Sequence, residues 1–215
     1  MGDGLVSNIY LLSPTLYEGT ISLPMIEFET TASSLNLDGI DTLMFTSKEA
    51  VKRADSIDHK WKEFDTIAIG GATKKQIEEL GGRVIYQPKE FYGEVLAKDI
   101  VELFSNRHIL YLRPKKISFD SKSYLAKHDI ELQEQIIYKT KCKKYDTNAK
   151  PPKESIIIFT SPSTIECFLR NFEWDSSYKA VVIGEATKVH LPQNATYFVA
   201  SKPLIASCVQ KAFMI

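Results

Sequence analysis

A chain of 215 residues suits two domains of roughly 100 residues each better than one large one. Hydrophobic residues at 44% and charged residues at 25% give the balance of an ordinary globular protein. Lysine plus arginine equals aspartate plus glutamate at 27 each, so no net field recruits nucleic acid or an anionic membrane, and an anionic ligand must be met by local groups.

Along the chain, short apolar runs rich in β-branched and aromatic residues alternate with helical patterns, the signature of a parallel-sheet α/β protein. Strands are expected at residues 9–12 and 21–28, the second extending toward residue 30 as an unusually long run. Then come strand 42–45, helix 47–57, strand 66–69, helix 72–80 and strand 84–87. Helix 94–104 places Val95, Leu96, Ile100, Val101 and Phe104 on one stripe of helical period. Strand 108–112, helix 119–127 and a second long strand, 131–140, follow. Residues 141–152 hold four lysines and two prolines with little apolar content, and read as a linker or exposed turn. Strand 155–159, helix 162–172, strand 180–183, helix 185–190, strand 196–199 and helix 204–213 complete the chain.

The second half repeats the first. Phe45-Thr46-Ser47 returns as Phe159-Thr160-Ser161, and 159 − 45 = 114. Ile69-Gly70-Gly71-Ala72-Thr73 returns as Ile183-Gly184-Glu185-Ala186-Thr187, and 187 − 73 = 114 again. Two blocks held in register point to two copies of one α/β unit, 41–105 and 155–214, with a ligand expected between them. A colinear division near Ser105 is one arrangement. The alternative makes the two long strands antiparallel crossings, so that the N-terminal strand joins the second half. The pattern leaves both open.

Both repeated motifs fall where a strand ends and a helix begins. Serine and threonine cap free backbone N–H groups there, and Thr46 with Glu49 has capping-box spacing. Pro162 suits a first helical position. The same free N–H groups bind carboxylates, and glycine at residues 70 and 184 lets a ligand approach the backbone. Tyr138, in the second long strand, is a packing residue or a phenol able to protonate a leaving hydroxyl. Arg113, Lys115 and Lys116 follow strand 108–112, as carboxylate partners or as a solvated loop.

Cys142, Cys167 and Cys208 are odd in number and lack CxxC spacing, which predicts neither a disulfide framework nor a zinc site, and a reducing compartment. His59, His108, His128 and His190 share no ligand spacing, and no P-loop, GxGxxG or GxSxG elbow occurs, so no metal or nucleotide cofactor is expected. Residues 1–8 lack the basic region and apolar run of a signal peptide, and no run of 18 apolar residues occurs, so a cytoplasmic protein without a membrane span is expected.

Taken in order, Phe45-Thr46-Ser47 with Ala50-Val51, Ile69-Gly70 with Ala72-Thr73, Tyr92-Gly93-Glu94 with Leu96-Ala97, Leu112-Arg113, Ile136 with Tyr138 and Thr140, the second-half repeats and Lys202-Pro203 resemble the uroporphyrinogen III synthase family over essentially the whole chain. No single motif is specific; the ordered series is. The resemblance implies two similar parallel-sheet α/β domains (Rossmann/flavodoxin-like) joined by a two-stranded antiparallel linker, with the N-terminal strand swapped into the C-terminal-half domain. Residues 1–25 with 142–215 then form one domain and residues 31–135 the other, with linker strands at 26–30 and 136–141.

The resemblance further implies a cofactor-free, monomeric lyase of tetrapyrrole (haem) biosynthesis. It closes linear hydroxymethylbilane to uroporphyrinogen III with loss of water and inversion of the last pyrrole ring. Unassisted closure gives isomer I, so the enzyme must steer more than accelerate. Tyr138 falls on the family's favoured proton donor. Substrate contacts fall on Thr46, Ser47, Thr73, Tyr92, Gly93, Arg113, Ser161, Thr187 and Lys202. Two departures stand out: residues 14–20 form a loop in place of a helix, and Pro114-Lys115-Lys116 replaces a glycine-rich turn. The alternative class is a non-catalytic two-domain binder of a small anion. A nucleotide-sugar transferase with two Rossmann-like halves is a third, for which 215 residues is small.

Overall fold

The computed structural model describes residues 8–215, so the signal-peptide reading of residues 1–7 lies outside the described residues. The chain divides into two compact units, Phe28–Thr140 and Met1–Glu27 with Lys141–Ile215.

The strands of the Phe28–Thr140 unit belong to a six-stranded sheet. Its members are β3 (Ile26–Thr30), β4 (Thr42–Phe45), β5 (Asp65–Ala68), β6 (Arg83–Tyr86), β7 (Ile109–Pro114) and β8 (Leu132–Cys142), in the spatial order β3-β8-β7-β4-β5-β6. The pairs from β8 across to β6 are parallel. On the other side of β8, Lys143 N–H donates to the Met25 carbonyl and Thr31 N–H to the Ile137 carbonyl, so β3 and β8 run antiparallel. Lys139 and Glu29 pair across them at 2.7 Å.

Helices cover both faces because each parallel crossover returns through one. Helices α1 (Lys48–Ile57) and α2 (Gly71–Glu79) pack Ala50, Val51, Ala54 and Ile77 against Leu43, Phe45, Leu110 and Leu112. Helices α3 (Gly93–Leu103) and α4 (Ser121–Ala126) pack Leu96, Ile100 and Leu125 against Met44, Ile67, Ile109 and Tyr111. Alternate residues of β4 and β7 thus serve opposite cores, as a doubly covered sheet requires.

The other unit holds a five-stranded sheet of β1 (Ile9–Leu11), β2 (Ile21–Ser22), β9 (Ile156–Phe159), β10 (Lys179–Val182) and β11 (Thr196–Val199), in the order β11-β10-β9-β1-β2, parallel throughout. Helix α5 (Pro162–Asn171) packs Ile165 and Phe168 on one face, and α7 (Ile205–Ala212) packs Cys208, Val209 and Ala212 on the other, with the short α6 (Glu185–Lys188) after β10. Counted from β4 in the first sheet and from β9 in the second, the five parallel strands share one spatial order, 3-2-1-4-5. The strand order reverses between β4 and β7, and between β9 and β1. In open α/β sheets ligands collect outside the carboxyl ends of strands at such points.

Three expectations fail here. The run 21–28 is two strands, because Pro24 has no N–H to continue a ladder; Leu23 and Met25 are still buried, so the apolar pattern runs on through the break. Residues 141–152 are not a free linker. Tyr145 and Ala149 pack on the α5 core, Pro151 is buried, and the Tyr145 hydroxyl donates to the Pro24 carbonyl at 2.9 Å. Cys142 and Cys167 are joined in a disulfide, their Cα atoms 5.1 Å apart, so the expectation of unpaired thiols is overturned. Pairing follows from the fold: the last residue of β8 meets the middle of α5, and spacing along the chain carries no sign of that. Cys208 remains a buried free thiol, pushed up to about 11 by burial.

Tyr178 sits in the core under α5, with its hydroxyl donating to the Pro151 carbonyl, and burial pushes its phenol up to about 12. An unfolded phenol ionises near pH 10, so below about pH 10 both states are protonated and the contribution is complete. Between about 10 and 12 the unfolded chain sheds the proton first, and stability falls with pH. Urea midpoints measured across this range are expected to hold to about pH 10 and then drop, with the drop reduced in Tyr178→Phe. A profile unchanged by the substitution would contradict this account.

Candidate functional site

The carboxyl ends of β4 and β7 are neighbours, with Met44 opposite Tyr111 in register. Thr46 and Ser47 leave this edge toward opposite faces. Thr46 lies two residues beyond Met44, and its hydroxyl is 2.6 Å from that of Tyr111, which shares a core with Met44. Ser47 lies two residues beyond Phe45, and its Oγ is 2.9 Å from the hydroxyl of Tyr138, which shares a core with Phe45. Ser47 Oγ also accepts the Ala50 N–H at 3.0 Å, so Ser47 is the N-cap of α1. The expected box from Thr46 to Glu49 does not form: the cap falls one residue later, and Glu49 pairs with Arg53 one turn along the helix.

Each hydroxyl at this edge is therefore backed by a buried phenol. Tyr111 and Tyr138 are 3% and 4% exposed. Burial pushes both phenols above their ordinary range, partly offset by the Thr46 and Ser47 hydrogen bonds, so both carry their protons at neutral pH.

A cavity of about 240 Å³ opens at this edge, lined by Thr46, Ser47, Gly93, Tyr111, Lys116 and Ser118 among others. Gly93 begins α3, and a Cβ there would lie 2.7 Å from the Cβ of Phe119, which closes another side of the cavity. Close approach of these segments needs glycine. Sequence reasoning missed Tyr111, Ser118 and Phe119, while Lys116 is the residue it weighed as a carboxylate partner or a solvated loop. Tyr111 had one legible signal: it is a polar-tipped residue inside the apolar strand 108–112, two residues before Arg113, on the face that alternation assigns to both.

The remaining expected residues of this unit stand around the same sheet edge. Thr73 is buried in the first turn of α2, its N–H donating to the Gly70 carbonyl. Tyr92 precedes α3 and is 68% exposed. Gly70 and Tyr92, the N-caps of α2 and α3, supply no side-chain cap bond. Arg113 is largely committed: Nη2 donates to Glu134 Oε2 at 3.3 Å and Nη1 to the Pro114 carbonyl at 3.1 Å, while the 3.1 Å approach of Nε to Glu134 Oε1 is an ion pair too misaligned to be a hydrogen bond. It braces the Pro114-Lys115-Lys116 turn beside the cavity.

In the other unit, Ser161, Thr187 and Lys202 follow β9, β10 and β11 at the carboxyl edge of their own sheet. Ser161 caps α5 in a reciprocal box with Thr164, Thr187 is buried in α6, and Lys202 is exposed. Among the described residues, no group of three His, Cys, Asp or Glu side chains is placed to hold a metal ion, and no helix is long and apolar enough to cross a membrane.

The family model described as uroporphyrinogen-III synthase HemD matches residues 18–210. Among solved structures, the uroporphyrinogen-III synthetase of Helicobacter pylori 26695 is similar with a TM-score of 0.83 and 25% identity, over 97% of this chain and 99% of that one. A mutant uroporphyrinogen III synthase of the extremely thermophilic bacterium Thermus thermophilus gives a TM-score of 0.56 at 12% identity, over 97% and 99%, a likeness of fold. No curated protein matches the chain by sequence.

Proposed function

Since this chain belongs to the uroporphyrinogen-III synthase family, we propose that it closes hydroxymethylbilane to uroporphyrinogen III, losing water and inverting the last pyrrole ring as a cofactor-free lyase. The match across residues 18–210 carries the reading. The geometry supports it. The substrate presents many carboxylates, and the sheet edge offers hydroxyls at Thr46 and Ser47 beside N-caps whose helices carry no side-chain acceptor. Such groups bind anions without net positive charge on the protein. We assign substrate contacts to Thr46, Ser47, Thr73, Tyr92, Gly93 and Arg113 in one unit and to Ser161, Thr187 and Lys202 in the other.

Tyr138 is the proposed proton donor. Its O–H protonates the leaving hydroxyl, the carbon–oxygen bond breaks and water departs. The proton of Ser47 turns to the phenol oxygen, and the Ala50 N–H supports Ser47 in turn. This chain of donors from the α1 N-terminus steadies the negative charge that develops on the phenol. A buried phenol is a weak acid, and a weak acid suffices because loss of this benzylic-type hydroxyl is already easy.

The proposal includes a monomer working in the cytoplasm, with no nucleic acid or membrane partner. The cytoplasmic part no longer draws on the cysteines, given the Cys142–Cys167 bond. The test supplies hydroxymethylbilane and resolves the product isomers. Isomer III formed faster than spontaneous closure is the expected result. Isomer I alone, at the spontaneous rate, overturns the reading.

A further inference from the structure

We propose that Tyr111 is a positioning residue that sets the Thr46 hydroxyl as a fixed donor to a substrate carboxylate in the cavity beside β4 and β7; this deepens the reading above and rests on it. Two hydroxyl–phenol pairs stand side by side at this edge, and they are not equivalent. Ser47 Oγ already accepts the Ala50 N–H, which polarises its own O–H and makes it the better donor toward Tyr138. Thr46 gains no such support from its 2.6 Å contact with Tyr111. In that pair the phenol, the more acidic of the two hydroxyls, donates to Thr46 Oγ1.

A hydroxyl holds one proton and two lone pairs. With one lone pair of Thr46 filled by Tyr111, and with the phenol side occupied, the Thr46 proton turns away from the core. Thr46 is half-buried and lines the cavity, so that direction leads to ligand. Without the phenol the hydroxyl rotates among its staggered positions, and ordering it must be met by the substrate's binding energy. The cavity, about 240 Å³, lies below the roughly 300–1,000 Å³ that encloses a drug-sized ligand, so it takes one arm of a larger substrate. A carboxylate-bearing arm meets donors there from Thr46 and Ser118.

Tyr111 is held for this task from both sides. Its ring packs with Met44, Leu96 and Ile100, and its strand neighbours in register are Met44 and Glu134. Tyr111→Phe keeps this packing and removes the hydroxyl alone. The expected result is a KM for hydroxymethylbilane raised about tenfold, the scale of one hydrogen bond to a charged group, with a far smaller change in kcat. Thr46→Val gives a KM change of the same size, and the double variant is no worse than either single one, because the two side chains act as one unit. Thr46→Ser, which keeps the hydroxyl, recovers most of the loss.

A merely structural tyrosine lowers thermal stability and leaves KM in place. Parental KM in Tyr111→Phe, or additive effects in the double variant, overturns the proposal while the parent still makes isomer III. A folded parent that makes no isomer III overturns the assigned reaction, and this proposal with it, so the two failures are told apart by the parent alone.

Discussion

Replacing Tyr138 by phenylalanine is expected to lower turnover about a hundredfold, at the lower end of what one positioned acid contributes. The substitution keeps the ring in its core beside Phe28, whose ring meets it edge-on at 5.8 Å, so the loss is chemical and not a failure to fold. Ser47→Ala removes the support of the phenol and also the α1 cap. It is expected to cost about tenfold in kcat and about 1 kcal/mol of stability, the usual value of a cap. Thr73→Ala, away from the phenol, changes turnover least. Initial rates of isomer III, corrected for spontaneous isomer I, check the order. If the three variants match the parent, the acid assignment is wrong and positioning alone carries the reaction.

The fold was legible where backbone chemistry and side-chain pattern agree. Residues 42–45 and 196–199 are strands with the expected bounds, since β-branched and aromatic runs end there at polar turns. Agreement broke where one property misleads about the other. Pro24 interrupts hydrogen bonding inside an apolar run, and the lysines around Tyr145 made a packed segment look solvated. Lysine stems lie along a surface while their charges stay in water, so lysine content says little about the aromatic between them.

The site was half legible for a similar reason. Thr46 and Ser47 announce themselves by repetition and capping chemistry. Tyr111 and Tyr138 each sit in a strand as ordinary apolar positions, and only the register of β4, β7 and β8 brings their hydroxyls to those of Thr46 and Ser47. Arg113 shows the reverse. Its charge suggested a ligand contact, yet Glu134, diagonal to it across the β7–β8 pairing where Ile136 is its register partner, takes much of its donor capacity. A charged residue at a strand end thus cannot be assigned until its cross-strand neighbour is known.

Trp61→Ala is expected to cost about 3–5 kcal/mol, the range for deleting a buried tryptophan, read as a lowered urea midpoint. Trp61 is 0% exposed, lies in a 3₁₀ turn (His59–Glu63) that no sequence pattern marked, and meets the Phe45 ring edge-on at 5.6 Å. Its Nε1 donates to Asp55 Oδ1 at 3.1 Å, and Asp55 also receives Lys62 at 2.7 Å. Those donors, with His59, outweigh burial and hold the Asp55 carboxyl below its usual range. The indole is wedged against Gly82, where a Cβ would fall 2.5 Å from Trp61 Cζ3 and 2.9 Å from Ile77 Cγ2. Gly82→Ala alone is therefore expected to cost about 1–3 kcal/mol by overpacking. In the Trp61→Ala background the same methyl enters the space the indole vacated, so its cost should largely vanish. Additive losses across this cycle, or a Trp61→Ala midpoint close to the parent's, would mean that the indole does not fill the gap under Gly82.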